Sequence, residues 1–85
     1  MTQITIIGDG GWGTALALVL QRNGHQVRVW GPFADYLQGV RARAENAKFL
    51  PGVPLPPEIT WEADRATAVA DAEVVVLAVP SRFYP

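Results

Sequence analysis

The segment Gly8-Asp9-Gly10-Gly11-Trp12-Gly13 stands between a β-like run at residues 3–7 and a helix-like run at residues 14–22. Glycines at this spacing are common by chance, but a strand before them and a helix after them narrow what the chain can build. Strand, glycine loop and helix together open a parallel βαβ layer, and the loop becomes a seat for a dinucleotide pyrophosphate. Gly8 permits the tight turn off the strand, and Gly10 has no Cβ to hold backbone N–H groups away from phosphate. Gly13 lets the helix lie close to the sheet. The unpaired N–H groups and the positive end of the helix dipole then face the anion.

The rest of the chain continues the pattern. Ile4, Ile6 and Ile7 make the first strand β-branched. The first helix carries Leu16, Leu20, Ala15, Ala17 and Val19, apolar nearly all round, and is expected to be buried against the sheet. Asn23-Gly24 closes it, with Gly24 in the left-handed position past the helix end. Residues 26–30 read as a second strand with Val27 and Val29 on one face. Pro32 suits the first turn of a second helix, which runs to about Glu45 with Tyr36, Leu37 and Val40 as its apolar stripe.

Residues 46–57 contain four prolines and form a loop. Ile59-Thr60-Trp61 is a short third strand, and Asp64 caps a short third helix through Val69. Residues 74–79 are an unbroken apolar strand of the kind covered on both faces in a parallel sheet. The order βαβαβαβ predicts an α/β fold of Rossmann type, with helices on both faces and strand order 3-2-1-4. A two-halved fold of this kind continues with further strands, so the chain is expected to be a partial domain. Its fourth strand would then be an outer one and a template for pairing with another chain.

Composition removes several classes. A net charge of −1 gives no electrostatic footprint for nucleic acid or an anionic membrane. There is no cysteine for a disulfide or a thiolate metal site, and no metal-binding cluster is expected. The amino terminus lacks a basic and then apolar signal segment, so a cytoplasmic location is expected.

With these segments in place, the chain resembles the N-terminal part of NAD(P)-dependent glycerol-3-phosphate dehydrogenase. The glycine segment continuing into Thr14-Ala15 is similar to the family's G-x-G-x-W-G-[TS]-A, and Val29-Trp30 closes the second strand as in the family. Glu45-Asn46-Ala47-Lys48-Phe49-Leu50-Pro51-Gly52, followed by Leu55-Pro56-Pro57, resembles the family's E-N-x-x-[FY]-L-P-G…L-P-P, the most specific of the matches. Ala78-Val79-Pro80-Ser81-Arg82-Phe83 is similar to its V-P-[SH]-x-x segment.

The resemblance implies an oxidoreductase that interconverts dihydroxyacetone phosphate and sn-glycerol 3-phosphate with NAD or NADP, supplying phospholipid synthesis. It implies a nicotinamide dinucleotide and a small phosphorylated substrate as partners, admits a homodimer, and leaves the catalytic lysine and the substrate domain to later sequence. By position it assigns Gly8, Asp9, Gly10, Gly11, Trp12 and Gly13 to the pyrophosphate loop. Pro32 and Phe33 fall at the end of the second strand, and Phe83 beyond the fourth. Phe33 either stacks on adenine or packs under the second helix.

Departures from the family pattern bear on the cofactor. Asp9 is acidic where a small residue is usual; facing a diphosphate it would repel it, so it is expected to turn away. The acid that holds the ribose 2′-OH is not at the end of the second strand, where Gly31 and Pro32 stand instead, and Asp35 belongs to the following helix. NAD and NADP both stay open. Trp30 and Trp61 read as core, and His25 as a solvated residue past a helix end.

The 46–57 loop starts at the amino ends of the strands, opposite the ligand face, though a loop this long can travel; its residues, Lys48 included, read as structural or in contact with the rest of the protein, not catalytic. Two other functions compete: the first half of a 3-hydroxyacid or ketopantoate type dehydrogenase, and a stand-alone nucleotide-sensing module.

Overall fold

The computed structural model describes residues 2–78. Its elements are β1 (Gln3–Ile7), α1 (Gly11–Arg22), β2 (Gln26–Trp30), α2 (Ala34–Arg43), β3 (Thr60–Glu62), α3 (Arg65–Val69) and β4 (Val74–Leu77). The four strands form one parallel sheet in the order β3-β2-β1-β4, as the sequence predicts. Val79 and Phe83 lie outside the described residues.

Register sorts the strand residues onto two faces, because paired positions in a parallel ladder point the same way. Ile4 pairs with Val27 and Val74, and Ile6 with Val29 and Val76, while Val29 also pairs with Trp61. This face meets Ala17 of α1 and Leu37 and Val40 of α2, and Leu55 and Ile59 complete one apolar core. Ile6, Val27 and Val29 are almost fully buried, each contributing about 1.5–3 kcal/mol by burial.

The opposite face carries Thr5, Arg28 and Trp30, and α3 lies on it. Thr5 Oγ1 and the Arg28 guanidinium both donate to the Ala68 carbonyl. Arg28 also donates to the Thr67 carbonyl, and Trp30 Nε1 to Ala63 at 2.9 Å. The carbonyls at the end of α3 thus find polar partners on the sheet, as unpaired helix-end groups must. Trp61 is core as expected, whereas Trp30 is half-buried, with the Arg65 guanidinium 5.0 Å from its ring centre.

Several boundaries and faces differ from expectation. α1 starts at Gly11, so two of the loop glycines belong to its first turn. It buries one face only, Gly13, Thr14, Ala17 and Leu18, and Val19 is exposed. Packing mainly against β2 and β1 leaves its far side to solvent. α2 ends at Arg43 because Ala44 takes a left-handed conformation at φ 54°, and Pro32 precedes the helix, with Phe33 at the cap. Asp64 does precede α3, but its carboxylate accepts from the Thr67 hydroxyl and does not cap the backbone.

The expected helix stop at Gly24 is present in full. Gly24, at φ 88°, donates to Gln21, and His25 donates back to Leu20, the paired bonds of a left-handed helix terminator. His25 itself is half-buried, its Nδ1 enclosed without a hydrogen-bond partner among the described residues, contrary to a solvated reading. β4 is the edge of the described sheet. Its Val75 and Leu77 sit on the α3 face, where the five-residue α3 packs mainly on β2 and β3, and both are exposed. No helix among the described residues is long and apolar enough to cross a membrane.

Candidate functional site

β1 is followed by Gly8, whose φ of 130° is open to glycine, and this turn brings the chain into α1. Gly8 N–H still donates to the Trp30 carbonyl at 2.9 Å, tying the turn to the carboxyl end of β2. The loop glycines then divide by what a side chain would meet. At Gly13 a methyl group would fall on the Gly8 carbonyl, so this glycine lets helix and sheet touch. At Gly11 it would lie 2.6 Å from the Phe49 carbonyl oxygen. At Gly10 it would meet nothing within 4 Å. Gly10 is therefore not required by packing, and its bare face looks outward at the helix start.

That helix start carries no side-chain cap and no acidic residue in its first turn. The first N–H groups of a helix have no partner within it, and an uncapped positive end favours an anion. Trp12 is 72% exposed, so it does not pack at the helix start.

The 46–57 loop corrects the sequence reading most. It returns to the carboxyl edge of the sheet and packs on the glycine loop. Asn46 is fully buried; its Nδ2 donates to the Asp9 carbonyl at 2.7 Å and to Thr14 Oγ1 at 2.8 Å, while its Oδ1 accepts from the Tyr36 hydroxyl. Thr14 Oγ1 donates in turn to the Asp9 carbonyl at 3.2 Å. Leu50 N–H bonds back to the Asn46 carbonyl at 2.7 Å, closing a tight turn that holds Lys48 and Phe49 at the ligand edge. The structural role read for this segment holds for Asn46, and from its expected start opposite the ligand face the loop travels to the ligand edge.

Between this turn and the end of β2 lies a cavity of about 390 Å³, within the range of small-molecule sites. Asp9, Pro32, Phe33 and Asp35 line it with Tyr36, Lys48 and Phe49. Phe33 is 69% exposed, so it does not pack under α2, and Tyr36 meets Phe49 edge to face with ring centres 6.1 Å apart. The Lys48 ammonium lies 5.2 Å from the Phe49 ring centre. Of the residues the sequence singles out, Asp9, Pro32 and Phe33 meet here, and Trp12 stands apart on the helix start. Phe83 lies outside the described residues. Tyr36, Lys48 and Phe49 were not anticipated; the N-x-x-F-L-P-G motif was the signal for the last two. A larger cavity, about 560 Å³, opens at the amino ends beside Gln3, His25 and Glu58, far from the glycine loop.

The Asp9 carboxylate turns toward Gly31, and burial pushes its carboxyl above the ordinary value of 3.8. Its own amide and the Lys48 ammonium pull the other way. An acid with a raised folded-state pKa holds its proton more tightly folded than unfolded. Ionisation therefore costs stability as pH rises from the unfolded value through the folded one. Asp9→Asn is expected to stabilise the unliganded protein at neutral pH. The gain is expected to vanish once the pH falls below 3.8, as urea titrations at both pH values would show.

A parallel 3-2-1-4 sheet whose glycine-walled helix start opens at its carboxyl edge defines a Rossmann-type nucleotide-binding domain. More narrowly, the chain belongs to the family described as the NAD-dependent glycerol-3-phosphate dehydrogenase N-terminus, whose family model matches residues 3–85. A glycerol-3-phosphate dehydrogenase [NAD(P)+] of Bacillus thuringiensis is 44% identical over 84 residues, 99% of this chain and 25% of that protein. The crystal structure of a Coxiella burnetii glycerol-3-phosphate dehydrogenase superposes with a TM-score of 0.85 at 36% identity, covering 94% of this chain and 25% of that one. The Saccharomyces cerevisiae enzyme gives 0.85 at 27% identity over 96% of this chain and 27% of that one. The chain spans about a quarter of the length of these relatives. The family match removes the 3-hydroxyacid and ketopantoate alternatives.

Proposed function

We propose that this chain is the cofactor-binding part of a cytoplasmic oxidoreductase interconverting sn-glycerol 3-phosphate and dihydroxyacetone phosphate with NAD or NADP. Its product serves glycerophospholipid synthesis, and the substrate domain lies outside these 85 residues. The observation that carries this reading is the uncapped start of α1, open at Gly10, in a chain of this family. Backbone N–H groups at Gly11, Trp12 and Gly13 hold the pyrophosphate by charge-assisted hydrogen bonds. Gly8 makes the turn beneath them, and the exposed Trp12 indole flanks the diphosphate. Phe33 and Pro32 take the adenosine end, and the resemblance to the family gives Phe83 a cofactor contact as well.

When bound, the nicotinamide supplies the hydride; the residues here bind and orient it. Lys48 is the only lysine in the chain, and it lines the cavity at the end of β2. That is the adenosine side of a Rossmann fold, away from the reacting carbonyl. The 85-residue chain alone is therefore expected to give no oxidation of NADH or NADPH with dihydroxyacetone phosphate above a no-enzyme control, whereas the intact protein turns over. Turnover by the short chain would contradict the assignment of catalysis to later sequence. Inactivity of the intact protein would contradict the substrate, and would favour a nucleotide-sensing role.

A further inference from the structure

Rossmann domains that prefer the unphosphorylated cofactor carry an acid at the end of the second strand, where it accepts from the adenosine ribose hydroxyls. Here that position is Gly31. Its backbone does not call for glycine, since the positive-φ glycines are Gly8, Gly24 and Gly52. What Gly31 provides is room. A Cβ there would lie 2.7 Å from Asp9 Cγ and closer still to a carboxylate oxygen. The space that a side chain at the end of β2 would use is filled by the carboxylate of Asp9, reaching across from β1. The Asp9 carboxylate thus stands in the space that an acidic side chain at position 31 would take.

The surroundings of that carboxylate agree. Asp9 lines the cavity of about 390 Å³ together with Phe33 and Phe49, which offer apolar rings to a flat base. The charged groups around the cavity are the carboxylates of Asp9 and Asp35 and the Lys48 ammonium. Two carboxylates against one ammonium suit a neutral diol better than a dianionic phosphate. No arginine, the side chain whose planar fork suits a 2′-phosphate, lines it.

We propose that Asp9 is the acceptor for the adenosine ribose hydroxyls and the residue that makes this site select NAD over NADP. The proposal rests on the dinucleotide reading above and adds to it a residue and a preference. A ribose 2′-OH donating to Asp9 makes a charge-assisted hydrogen bond. A 2′-phosphate at the same place meets the carboxylate as a like charge.

The test is the dissociation constant of NADH and of NADPH, each measured by fluorescence titration of the intact protein and of two variants. The parent is expected to bind NADH more tightly than NADPH by roughly tenfold or more, the scale of one hydrogen bond to a charged group. Asp9→Asn, of nearly the same shape, is expected to shrink that ratio by roughly tenfold. Gly31→Ala, which evicts the carboxylate while leaving it in the sequence, is expected to shrink the ratio in the same direction, with folding checked by circular dichroism. A parent that prefers NADPH, or an NADH-to-NADPH ratio unchanged in Asp9→Asn, would overturn the proposal and leave the dinucleotide reading standing. Failure of the parent to bind either nucleotide would overturn both.

Discussion

Asn46→Leu is expected to destabilise the protein by about 3 kcal/mol and to free the 46–50 turn from the glycine loop. The expectation follows from what one buried amide holds. Its two N–H bonds satisfy the Asp9 carbonyl and the Thr14 hydroxyl, and its oxygen satisfies the Tyr36 hydroxyl. Leucine fills the space but leaves the Tyr36 hydroxyl without its acceptor and the Asp9 carbonyl and Thr14 hydroxyl with only their bond to each other, and each such loss costs about 1–3 kcal/mol. Asn46→Asp is the sharper variant. A carboxylate keeps the acceptor for Tyr36 but turns an oxygen toward the Asp9 carbonyl, and is expected to cost at least as much. Urea unfolding gives the loss, and amide exchange at Lys48 and Phe49 reports the released turn. A loss below about 1 kcal/mol for both variants would mean that Phe49 packing, and not Asn46, fixes this segment.

Gly10→Val is expected to weaken binding of NADH by about a hundredfold or more while leaving stability within about 0.5 kcal/mol of the parent. Gly10 has an ordinary extended backbone, with φ −71° and ψ −175°, and no atom within 4 Å of a new Cβ. Valine therefore fits the unliganded protein. Its branched side chain would stand over the helix N–H groups and keep a phosphate from reaching them. Gly13→Val makes the contrast, since its side chain would strike the Gly8 carbonyl and lose the fold itself. Two glycines three residues apart thus separate into one kept for the ligand and one kept for packing.

The sheet was legible because its signals are local. Val27 and Val29 alternate, Gly24 terminates a helix, and the prolines end regular structure before β3, so strand order follows from βαβ handedness. The glycine loop was legible for the same reason. What could not be read is whatever depends on where a long loop goes. Helix α2 delivers the chain to the amino ends of the strands, but Ala44 turns left-handed and Asn46 then reaches back to Asp9, a contact 37 residues apart in sequence. No periodicity encodes that. Gly11 shows the limit well, since its bare Cα is used by the Phe49 carbonyl, in a loop that starts at the opposite face. Asp9 was expected to turn away from a diphosphate; what the sequence could not supply was its destination, the room left by Gly31.

The central claim, that a nicotinamide dinucleotide lies across the start of α1 with its adenosine end at the end of β2, is tested most directly by following backbone amide resonances of the intact protein during a titration with NADH. The largest shifts are expected at Gly10, Gly11, Trp12 and Gly13, with a second group at Asp9, Phe33 and Phe49. Shifts confined to the larger cavity at the opposite end of the sheet, around His25 and Glu58, or none at saturating NADH, would contradict it.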